Sequence, residues 1–485
     1  MSDKEEHASS PANDRMRPGS NDPLQFIAAG QANLKERRLK DAAFDFQVAI
    51  DLDPNLPMAH NNLGWVRQQL GDISGALLCY RKALELNGSF RLAQINLALL
   101  LSEMGLSAEA QQIWSGLAFS YPNDRALLDK IITESLKAGD VSSASVFAER
   151  YAFLTRGSRW FCSEADGIQV PEVPFPEPQL SVPKLKHDLE QFSYLRGLGI
   201  LVDDLANAER AYRRVLERAV SLGDDGRMKL SNADRELIGH IYDRIVYRRP
   251  APRVQRALST VFSPESAEEE YLCSPLGVVV LDNFLSEEAV VSLRSFCLES
   301  TIWFANRPHG RLGAFFREGF NCPLLAQIAS ELSVAFPRLI GQRHPLLQMW
   351  GFKYAHYQPP TGAHADFAAV NVNIWLTPDE ANLGGGGLVI YNAEAPADWD
   401  FATYNSRGDK IAQFLRARRA RSITIPYKAN RAIVFNSDLF HATEPVNFRQ
   451  GYENRRLNVT MLFGRRETQR LESTSAVPLG ADSET

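Results

Sequence analysis

The feature that most constrains the fold is a 34-residue repeat in the first third of the chain, residues 24–155. Alanine recurs in register at Ala42, Ala76, Ala110 and Ala144, and a large aromatic residue follows each of the first three alanines by four positions. Glycine or proline closes successive units. Small residues allow helices to approach closely, and a period of this length is typical of paired helices stacked into a solenoid.

These units resemble the tetratricopeptide repeat family, with three clear repeats and a degenerate fourth that suits a terminal capping unit. The resemblance implies a concave groove that binds a protein or a peptide. Asn62 and Asn96 occupy equivalent positions in consecutive repeats, where the family can hydrogen-bond an extended peptide backbone. Ordinary polar surface on an inner helix is the alternative interpretation of both residues.

Length and composition exclude several classes of protein. A chain of 485 residues with 45% hydrophobic and 23% charged residues favours two or three folded domains. A formal net charge of −5 provides no general basic field for nucleic acid. The five cysteines are odd in number and form no CxxC pair, which argues against a disulfide framework and against a thiolate zinc site.

Both ends of the chain are predicted to be disordered tails, residues 1–22 and 467–485. The first tail is polar and lacks the apolar core of a signal peptide. No apolar run approaches the roughly 18 residues that a membrane span needs. We therefore expect a cytoplasmic protein without a membrane or nucleic-acid partner, while its oligomeric state stays open.

Changes in composition predict the remaining organisation. The repeats are assigned to residues 23–155, and a proline-dense linker to 156–186, where fixed backbone dihedrals favour an extended, semi-rigid chain. Apolar residues at helical spacing predict two or three connecting helices over 187–250. The region 273–466 begins with one strand and helix and then becomes mostly short strands with glycine and proline turns, which indicates a sandwich or barrel.

One short motif in this last region can bind a metal. His364 and Asp366 are two positions apart, so they point the same way if the segment is extended. A non-heme iron site needs two imidazoles and one carboxylate on one face. His441 directly follows a predicted strand and is the only histidine after Asp366, whereas His356 is the main rival as a third ligand. A polar turn without a metal is the alternative.

The strands around the motif alternate between polar and apolar residues. Asn371 and Asn373 oppose a valine-rich face, and Thr460 and Arg456 share the polar face of a later strand. Such faces are often simply solvated, but here they flank the proposed ligands and make these residues candidates for a pocket. An arginine buried there suits a dicarboxylate, because its planar guanidinium can bind one carboxylate bidentately.

The ordered set of HxD, distal histidine and strand arginine resembles the 2-oxoglutarate- and Fe(II)-dependent dioxygenases. The segments "LDNFLSEEA" and "YQPPTGAHAD" are most similar to the prolyl-4-hydroxylase-like branch, and the likeness covers roughly residues 276–466. It implies a double-stranded β-helix, also called a jelly roll. It also implies three iron ligands, namely His364, Asp366 and His441.

The same resemblance implies a place for the cosubstrate. Aligning the last strand selects Arg456, rather than Arg455, for the distal carboxylate of 2-oxoglutarate, and Tyr357 matches a position that often hydrogen-bonds this molecule. The implied cofactors are Fe(II), 2-oxoglutarate and O2, with ascorbate as an optional reductant. The glycine- and tryptophan-rich segment 377–405 is interpreted as a hairpin connection or a lid over the site.

Three functions are compatible with these motifs. The first is an oxygenase that hydroxylates a protein or peptide side chain recruited by the repeats, and it is favoured slightly. The second is an oxygenase for a small molecule whose repeats serve assembly. The third is a non-catalytic scaffold, disfavoured because the three ligands and the arginine occur together. Demethylation and desaturation use the same ligands, so the reaction is not fixed by the sequence.

Overall fold

The computed structural model describes residues 21–161, 170–223 and 226–466. The predicted tails lie outside the described residues, except for residues 21 and 22. Part of the predicted linker, 162–169, also lies outside them, and so does Cys162. Within the described residues, no helix combines the length and the apolar character needed to cross a membrane.

The chain divides into two compact units, Met1–Ser120 and Tyr121–Thr485. In its described residues the first unit consists of helices α1 (Pro23–Lys35), α2 (Leu39–Leu52), α3 (Pro57–Gln69), α4 (Ile73–Leu86), α5 (Arg91–Glu103) and α6 (Ser107–Ser120). N-cap side chains and prolines mark the first turns of several of these helices. The Asp22 and Asp72 carboxylates accept hydrogen bonds from backbone N–H groups in the first turns of α1 and α4. Proline begins α1 and α3, where its missing N–H is not needed.

The repeat positions identified in the sequence are where helices touch. Ala42, Ala76 and Ala110 are all at most 2% exposed. Gly64 on α3 lies against the ring of Tyr80 on α4, so closely that a Cβ atom at Gly64 would stand 2.8 Å from a ring carbon. The 34-residue period therefore reflects a small residue facing an aromatic ring in successive helix pairs.

This close approach predicts a clear effect of one methyl group. We expect Gly64→Ala to lower the free energy of unfolding of the first unit by about 1–3 kcal/mol, because the Tyr80 ring must shift. The matched control is Gly116→Ala on α6, where a Cβ would have no atom within 4 Å. This exposed helical position should gain about 0.5–1 kcal/mol. Urea denaturation of the full chain, followed by circular dichroism, measures both, and equal effects would contradict the packing argument.

The second unit contains the remaining helices and the strands. Its helices are α7 (Arg125–Lys137), α8 (Val141–Arg156), α9 (Val182–Gly197), α10 (Val202–Ala219), α11 (Asn232–Ile238), α12 (Pro264–Cys273), α13 (Glu287–Glu299), α14 (Pro323–Ala335), α15 (Phe401–Ser406) and α16 (Gly408–Ala417). Its strands are β1 (Gln179–Ser181), β2 (Arg227–Lys229), β3 (Val278–Leu281), β4 (Ala305–Arg307), β5 (Arg311–Phe315), β6 (Leu346–Lys353), β7 (Tyr357–Gln358), β8 (Val370–Trp375), β9 (Asn382–Gly385), β10 (Leu388–Glu394), β11 (Ser422–Ile425), β12 (Ala432–Asn436), β13 (Leu439–Thr443), β14 (Val446–Phe448) and β15 (Leu457–Phe463).

Helices α1 to α8 thus follow one another with no strand between them, but the last pair belongs to the second unit. Ile132 of α7 and Ala148 of α8 are buried in the same apolar cluster as Val459 of β15. The Arg156 guanidinium at the end of α8 contacts the Glu318 carboxylate at 2.7 Å. The region that the sequence assigns to the repeats, 23–155, therefore spans the division between the units.

The proline-dense linker is packed rather than free where the structure describes it. The Phe175 N–H donates to the Thr155 carbonyl at 2.9 Å. The Arg244 guanidinium donates to the Pro171 carbonyl at 2.7 Å. The linker then forms β1, which pairs with β2, before α9 begins. This part of the predicted spacer, 156–186, is therefore fixed to the second unit.

The strands form one large and several small antiparallel sheets. The seven-stranded sheet has the order β3-β12-β8-β15-β6-β5-β4. Two three-stranded sheets have the orders β11-β10-β13 and β7-β14-β9, and β1 and β2 form a separate pair. In the large sheet, Asn373 of β8 lies opposite Thr460 of β15, and Trp375 lies opposite Asn458.

The two faces of the large sheet have different roles. Val372, Met461 and their neighbours in alternation join the main apolar core with α13 and α14. The opposite face, called the inner face below, carries Trp375 and Phe435, which pack with apolar residues of the two three-stranded sheets. All six residues of β8 are buried. The polar side chains of this alternating pattern, such as Asn371 and Asn373, therefore lie in a closed layer between the sheets and are not solvated.

Candidate metal centre

His364 and Asp366 lie in an irregular segment between β7 and β8 that neighbouring elements hold in place. The backbones of His364 and His441 exchange two hydrogen bonds, of 3.0 and 2.8 Å. The Asp366 N–H donates to the Ser437 carbonyl at 3.2 Å, and the Asn405 side chain donates to the Ala365 carbonyl at 2.9 Å. The segment was expected to be extended, and it contacts β13 through a bridge at His364 and a hydrogen bond from the Thr361 N–H to the Thr443 carbonyl at 3.1 Å.

The pairing with β13 brings the third predicted ligand to the same place. His364, Asp366 and His441 each offer a ligand atom, and these atoms lie within 4.8 Å of one another. His441 Nε2 is 3.5 Å from the Asp366 carboxylate. Asp366 and His441 are buried, whereas His364 is partly exposed. Within the described part of the chain, this is the group of His, Cys, Asp and Glu residues whose geometry suits a metal.

The donor set fits a divalent ion of the Fe(II) type. His364 Nδ1 lies 3.1 Å from the Gly362 carbonyl, and His441 Nδ1 lies 3.0 Å from the Leu439 carbonyl. Such bonds hold the imidazoles in the tautomer that leaves Nε2 free as the ligand atom. Two imidazole nitrogens and one carboxylate on one side leave the other coordination positions open for small molecules.

The electrostatics of the group favour this ligand state. Burial, followed by the neighbouring His441, lowers the pKa of His364 to about 4, so its imidazole is neutral at pH 7. Burial by itself raises the pKa of Asp366, but the hydrogen bond from His441, the charges of both histidines and the hydrogen bond from Asn371 together lower it. Asp366 is thus a carboxylate beside the neutral His364 imidazole, and both are in the state that a metal ligand needs.

A chain of buried hydrogen bonds holds the Asp366 carboxylate in position. Asn371 Nδ2 donates to Asp366 Oδ2 at 2.7 Å, and Asn373 Nδ2 donates to Asn371 Oδ1 at 2.8 Å. Asn373 Oδ1 then accepts from Asn458 Nδ2 at 3.0 Å and from Thr460 Oγ1 at 2.9 Å. The predicted pocket residues Asn371, Asn373 and Thr460 are therefore hydrogen-bonded to one another, and the chain that they form orients the metal ligand Asp366. Asn458, two positions before Thr460 on β15, completes the chain.

Arg456 lies on the inner face with an unused donor. It is 2% exposed, and its Nε donates to the Gly386 carbonyl at 2.7 Å. Its Nη1 is buried without a hydrogen-bond partner among the described residues. The guanidinium carbon is 4.5 Å from the Tyr354 ring, 5.5 Å from the Trp375 ring and 5.7 Å from the Tyr427 ring. A buried cation with a free N–H in an aromatic cage is suited to a carboxylate.

Arg455 differs from its neighbour because it already has an acidic partner. Its Nε donates to the Glu190 carboxylate of α9 at 2.7 Å. The choice of Arg456 over Arg455 thus agrees with the positions of both side chains. His356, the rival metal ligand, is half-buried and is not a member of the three-residue group.

The tyrosine prediction needs correction. Tyr357 is 73% exposed, whereas Tyr354 is 3% exposed and lies on the Arg456 guanidinium. Tyr354 directly follows β6, whose alternation places it on the inner face, and Tyr357 lies beyond the end of that strand. The Tyr354 hydroxyl is 3.3 Å from Thr443 Oγ1. Burial raises the pKa of Tyr354, but the charges of Arg311 and Arg456 outweigh this and lower it.

The segment 377–405, interpreted from the sequence as a hairpin connection or a lid, forms strands and part of a short helix. Its glycine-rich part forms β9, which pairs with β14, and Gly386 provides the carbonyl that holds Arg456. Gly386 has a φ of +75°, and a Cβ atom there would stand 2.8 Å from the Phe448 ring. The rest of the segment forms β10 and α15. These glycines therefore build the wall of the arginine pocket.

The two asparagines predicted for a peptide groove lie in the first unit. Asn62 is 2% exposed, so its side chain is an interior group and does not form open surface. Asn96 is partly exposed, and its Nδ2 donates to Asn61 Oδ1 at 2.9 Å. Asn61 in turn donates to Asn62 Oδ1 at 3.3 Å. Asn61, which the sequence analysis missed, connects the two predicted residues.

Known proteins are similar to parts of the chain. The tetratricopeptide repeat family matches residues 57–90, which contain α3 and α4. No curated protein matches the sequence. A crystal structure of MamA is 18% identical and covers 27% of this chain and 76% of that one, with a TM-score of 0.25. The first TPR of Spaghetti (RPAP3) bound to the HSP90 peptide SRMEEVD is 19% identical, covers 24% of this chain and 92% of that one, and has a TM-score of 0.23.

A further solved structure has a likeness to this chain that covers less than half of it. It is a prolyl hydroxylase from Trichoplax adhaerens in complex with a peptide fragment of the hypoxia inducible factor oxygen degradation domain. It is 14% identical and covers 44% of this chain and 93% of that one, with a TM-score of 0.30. The first unit is thus a helical region of tetratricopeptide type, and the second contains a β-rich region of antiparallel sheets.

Proposed function

We propose that the second unit is an Fe(II)- and 2-oxoglutarate-dependent hydroxylase and that the repeats recruit its protein or peptide substrate. The observation that carries the proposal is that two candidate sites adjoin the inner face of the large sheet. A group of two histidines and one aspartate has ligand atoms within 4.8 Å of one another, and Asn371 of β8 donates a hydrogen bond to this aspartate. Arg456, with an N–H that has no partner among the described residues, lies on the inner face. Together they would bind the two ends of 2-oxoglutarate.

The strand order supports a double-stranded β-helix for this region. Strands β12, β8, β15 and β6 are neighbours in the large sheet, and the strands that alternate with them in sequence form the small sheets. The apolar cluster that joins Trp375 and Phe435 to the small sheets fills the space between these layers. Alternate crossing of the chain between two antiparallel layers is the defining feature of a jelly roll.

Each residue of the site has a distinct part in the proposed reaction. His364, Asp366 and His441 would hold the ion, and the chain of asparagines from Asn371 would keep the Asp366 carboxylate oriented. Arg456 would bind the distal carboxylate of 2-oxoglutarate, while its aromatic surroundings exclude water. When bound, Fe(II) supplies the redox chemistry that couples decarboxylation of 2-oxoglutarate by O2 to oxidation of a substrate C–H bond. The proposal assigns no general base.

The repeats support recruitment of a macromolecule. Residues 57–90 match the tetratricopeptide repeat family, whose members commonly bind peptides or proteins. The site itself is accessible from outside, because His364 is partly exposed. A protein or peptide side chain presented at that opening would reach the metal without unfolding the enzyme.

The experiment that tests the proposal needs no knowledge of the substrate. The full chain is incubated with Fe(II), ascorbate, O2 and 2-oxoglutarate, and succinate is measured. Slow release of succinate that requires all of Fe(II), O2 and 2-oxoglutarate supports the proposal. A separate titration with Mn(II), followed by electron paramagnetic resonance, should give one bound ion per chain. Absence of both bound Mn(II) and succinate would refute the proposed function.

The corrected tyrosine gives a further prediction. We expect Tyr354→Phe to raise the KM for 2-oxoglutarate about tenfold, because the hydroxyl beside Arg456 can donate to the same carboxylate. The matched control is Tyr357→Phe, which changes the same atom on an exposed ring and should leave the KM unchanged. Steady-state succinate release at varied 2-oxoglutarate measures both. Equal KM values for the two variants would contradict the assignment of Tyr354.

A further inference from the structure

A second arginine, Arg311, lies on the inner face next to the proposed cosubstrate site. It begins β5, one position before Leu312, which pairs with Lys353 of β6. Its guanidinium carbon is 4.7 Å from the centre of the Phe352 ring and 5.6 Å from that of the Tyr354 ring. Tyr354 is also the ring that Arg456 contacts at 4.5 Å. One phenol ring therefore lies between two guanidinium groups.

Arg311 has no acidic partner among the residues that the structure describes. Its Nε is shut off from solvent and lacks a hydrogen-bond partner there. By contrast, Arg455 contacts the Glu190 carboxylate and Arg431 contacts the Asp282 carboxylate. A partly buried cation without an anion is costly unless a ligand provides one. Arg311 also hydrogen-bonds the Tyr354 side chain, but its Nε is left without a partner among the described residues, and this donor indicates an anion-binding position.

The surroundings reinforce this positive character. Arg307 at the end of β4 lies over the Phe315 ring at 5.9 Å and pairs in register with Arg311. Burial, followed by the nearby charges of Arg311 and Arg227, lowers the pKa of Arg307. Alternation along β4, β5 and β6 places Phe315, Phe352, Arg307 and Arg311 on the same face of the large sheet.

The cosubstrate does not account for Arg311. 2-Oxoglutarate has two carboxylates, and the proposed site already provides a metal for one and Arg456 for the other. Arg456 is enclosed, at 2% exposure, whereas Arg311 is partly exposed. Because both carboxylates of 2-oxoglutarate already have binding groups, an anion at Arg311 would come from the molecule that is oxidised.

We propose that Arg311 binds a carboxylate of the substrate to be oxidised, so that this substrate is itself an anion. The inference rests on the proposed function and specifies the chemistry of its substrate. The carboxylate is either the α-carboxylate of a free amino acid or an acidic side chain near the oxidised residue of a peptide. Arg307, four positions earlier, provides a second positive charge for a peptide with more than one acidic residue.

A binding experiment tests the inference without turnover. The full chain is loaded with Mn(II) and 2-oxoglutarate, and its melting temperature is measured with two kinds of probe. One is each of the twenty free L-amino acids. The other is a pair of acetylated, amidated hexapeptide pools with one position fixed as Glu in one pool and as Gln in the other. Stabilisation by free amino acids alone identifies a small-molecule substrate, and stabilisation by the Glu pool identifies an acidic peptide.

The variants make the assignment specific. Arg311→Gln should weaken binding of the stabilising probe at least about tenfold, and Arg311→Lys should weaken it less, because the charge remains without the bidentate geometry. Arg214→Gln, an exposed arginine on α10, is the matched control and should bind as the natural chain does. The circular dichroism spectrum of each variant verifies that it is folded.

Several outcomes would overturn the inference. These are binding of neither kind of probe, equal stabilisation by the Glu and Gln pools without any effect of free amino acids, and unchanged binding by Arg311→Gln. Succinate release without substrate gives a separate readout, in which Arg311→Gln should keep the KM for 2-oxoglutarate within about twofold. A rise as large as that of Arg456→Gln would assign Arg311 to the cosubstrate instead. Loss of succinate release in the natural chain would refute the proposed function, whereas the binding readout judges Arg311 alone.

Discussion

Replacing Asp366 by asparagine is expected to abolish succinate release that depends on Fe(II) and to weaken Mn(II) binding by more than about 100-fold. The change keeps the shape of the side chain and its hydrogen bond to Asn371, which is 2.7 Å long in the natural chain. It removes the one negative charge among the three ligand groups. Two neutral imidazoles and an amide oxygen bind divalent ions much more weakly, because the carboxylate provides most of the electrostatic attraction.

The control for this change is Asp398→Asn, which removes the same charge from an exposed position on the segment between β10 and α15. It should leave both Mn(II) affinity and succinate release unchanged. Mn(II) binding is measured by electron paramagnetic resonance, and thermal unfolding verifies that both variants are folded. If a folded Asp366→Asn chain binds Mn(II) as tightly as the natural chain does, the metal is held elsewhere.

The metal group could be predicted because its geometry depends on short-range rules. His364 and Asp366 are two positions apart, and the strand after them alternates between valine and asparagine. His441 follows a run of β-branched and aromatic residues that forms β12. These local patterns predict each ligand close to a strand, and the structure has His364 and Asp366 in the segment before β8 and His441 within β13. The distance between the ligands then follows from pairing of β13 with the segment before β8. The resemblance implied this pairing, but no local sequence pattern predicts it.

The cosubstrate pocket could be predicted only in part. The resemblance selects Arg456 over Arg455, and alternation into β15 puts Arg456 on the face of Asn458 and Thr460. Gly386 was missed as its partner, because it meets Arg456 only through the pairing of β9 with β14. A contact between residues 70 positions apart depends on strand register in three dimensions. A glycine run in the sequence indicates a turn as readily as a pocket wall.

The misplaced tyrosine has a similar cause. Tyr354 and Tyr357 are three positions apart, and both stand in a segment with strand-like composition. The alternation of β6 reaches Tyr354 and then ends, so the period that would assign a face to Tyr357 no longer applies. Counting two positions forward from Phe352 would have selected Tyr354, because residues two apart share a face in an extended strand. The asparagines of the repeats were misjudged for another reason, since burial of Asn62 depends on how α3 packs.

Replacing Arg456 by glutamine is expected to raise the KM for 2-oxoglutarate at least about 100-fold, because a carboxylate would be left in a buried, aromatic pocket without its cation. Mn(II) affinity should stay within about twofold, since the guanidinium is not a ligand. Arg455→Gln is the matched control. Its guanidinium is bound to Glu190 at 2.7 Å, so the change should lower stability and leave the KM unchanged. Succinate release at varied 2-oxoglutarate measures the KM of each variant. An unchanged KM in a folded Arg456→Gln chain would separate the arginine from the cosubstrate, and the pairing of sites on which the proposed function rests would be lost.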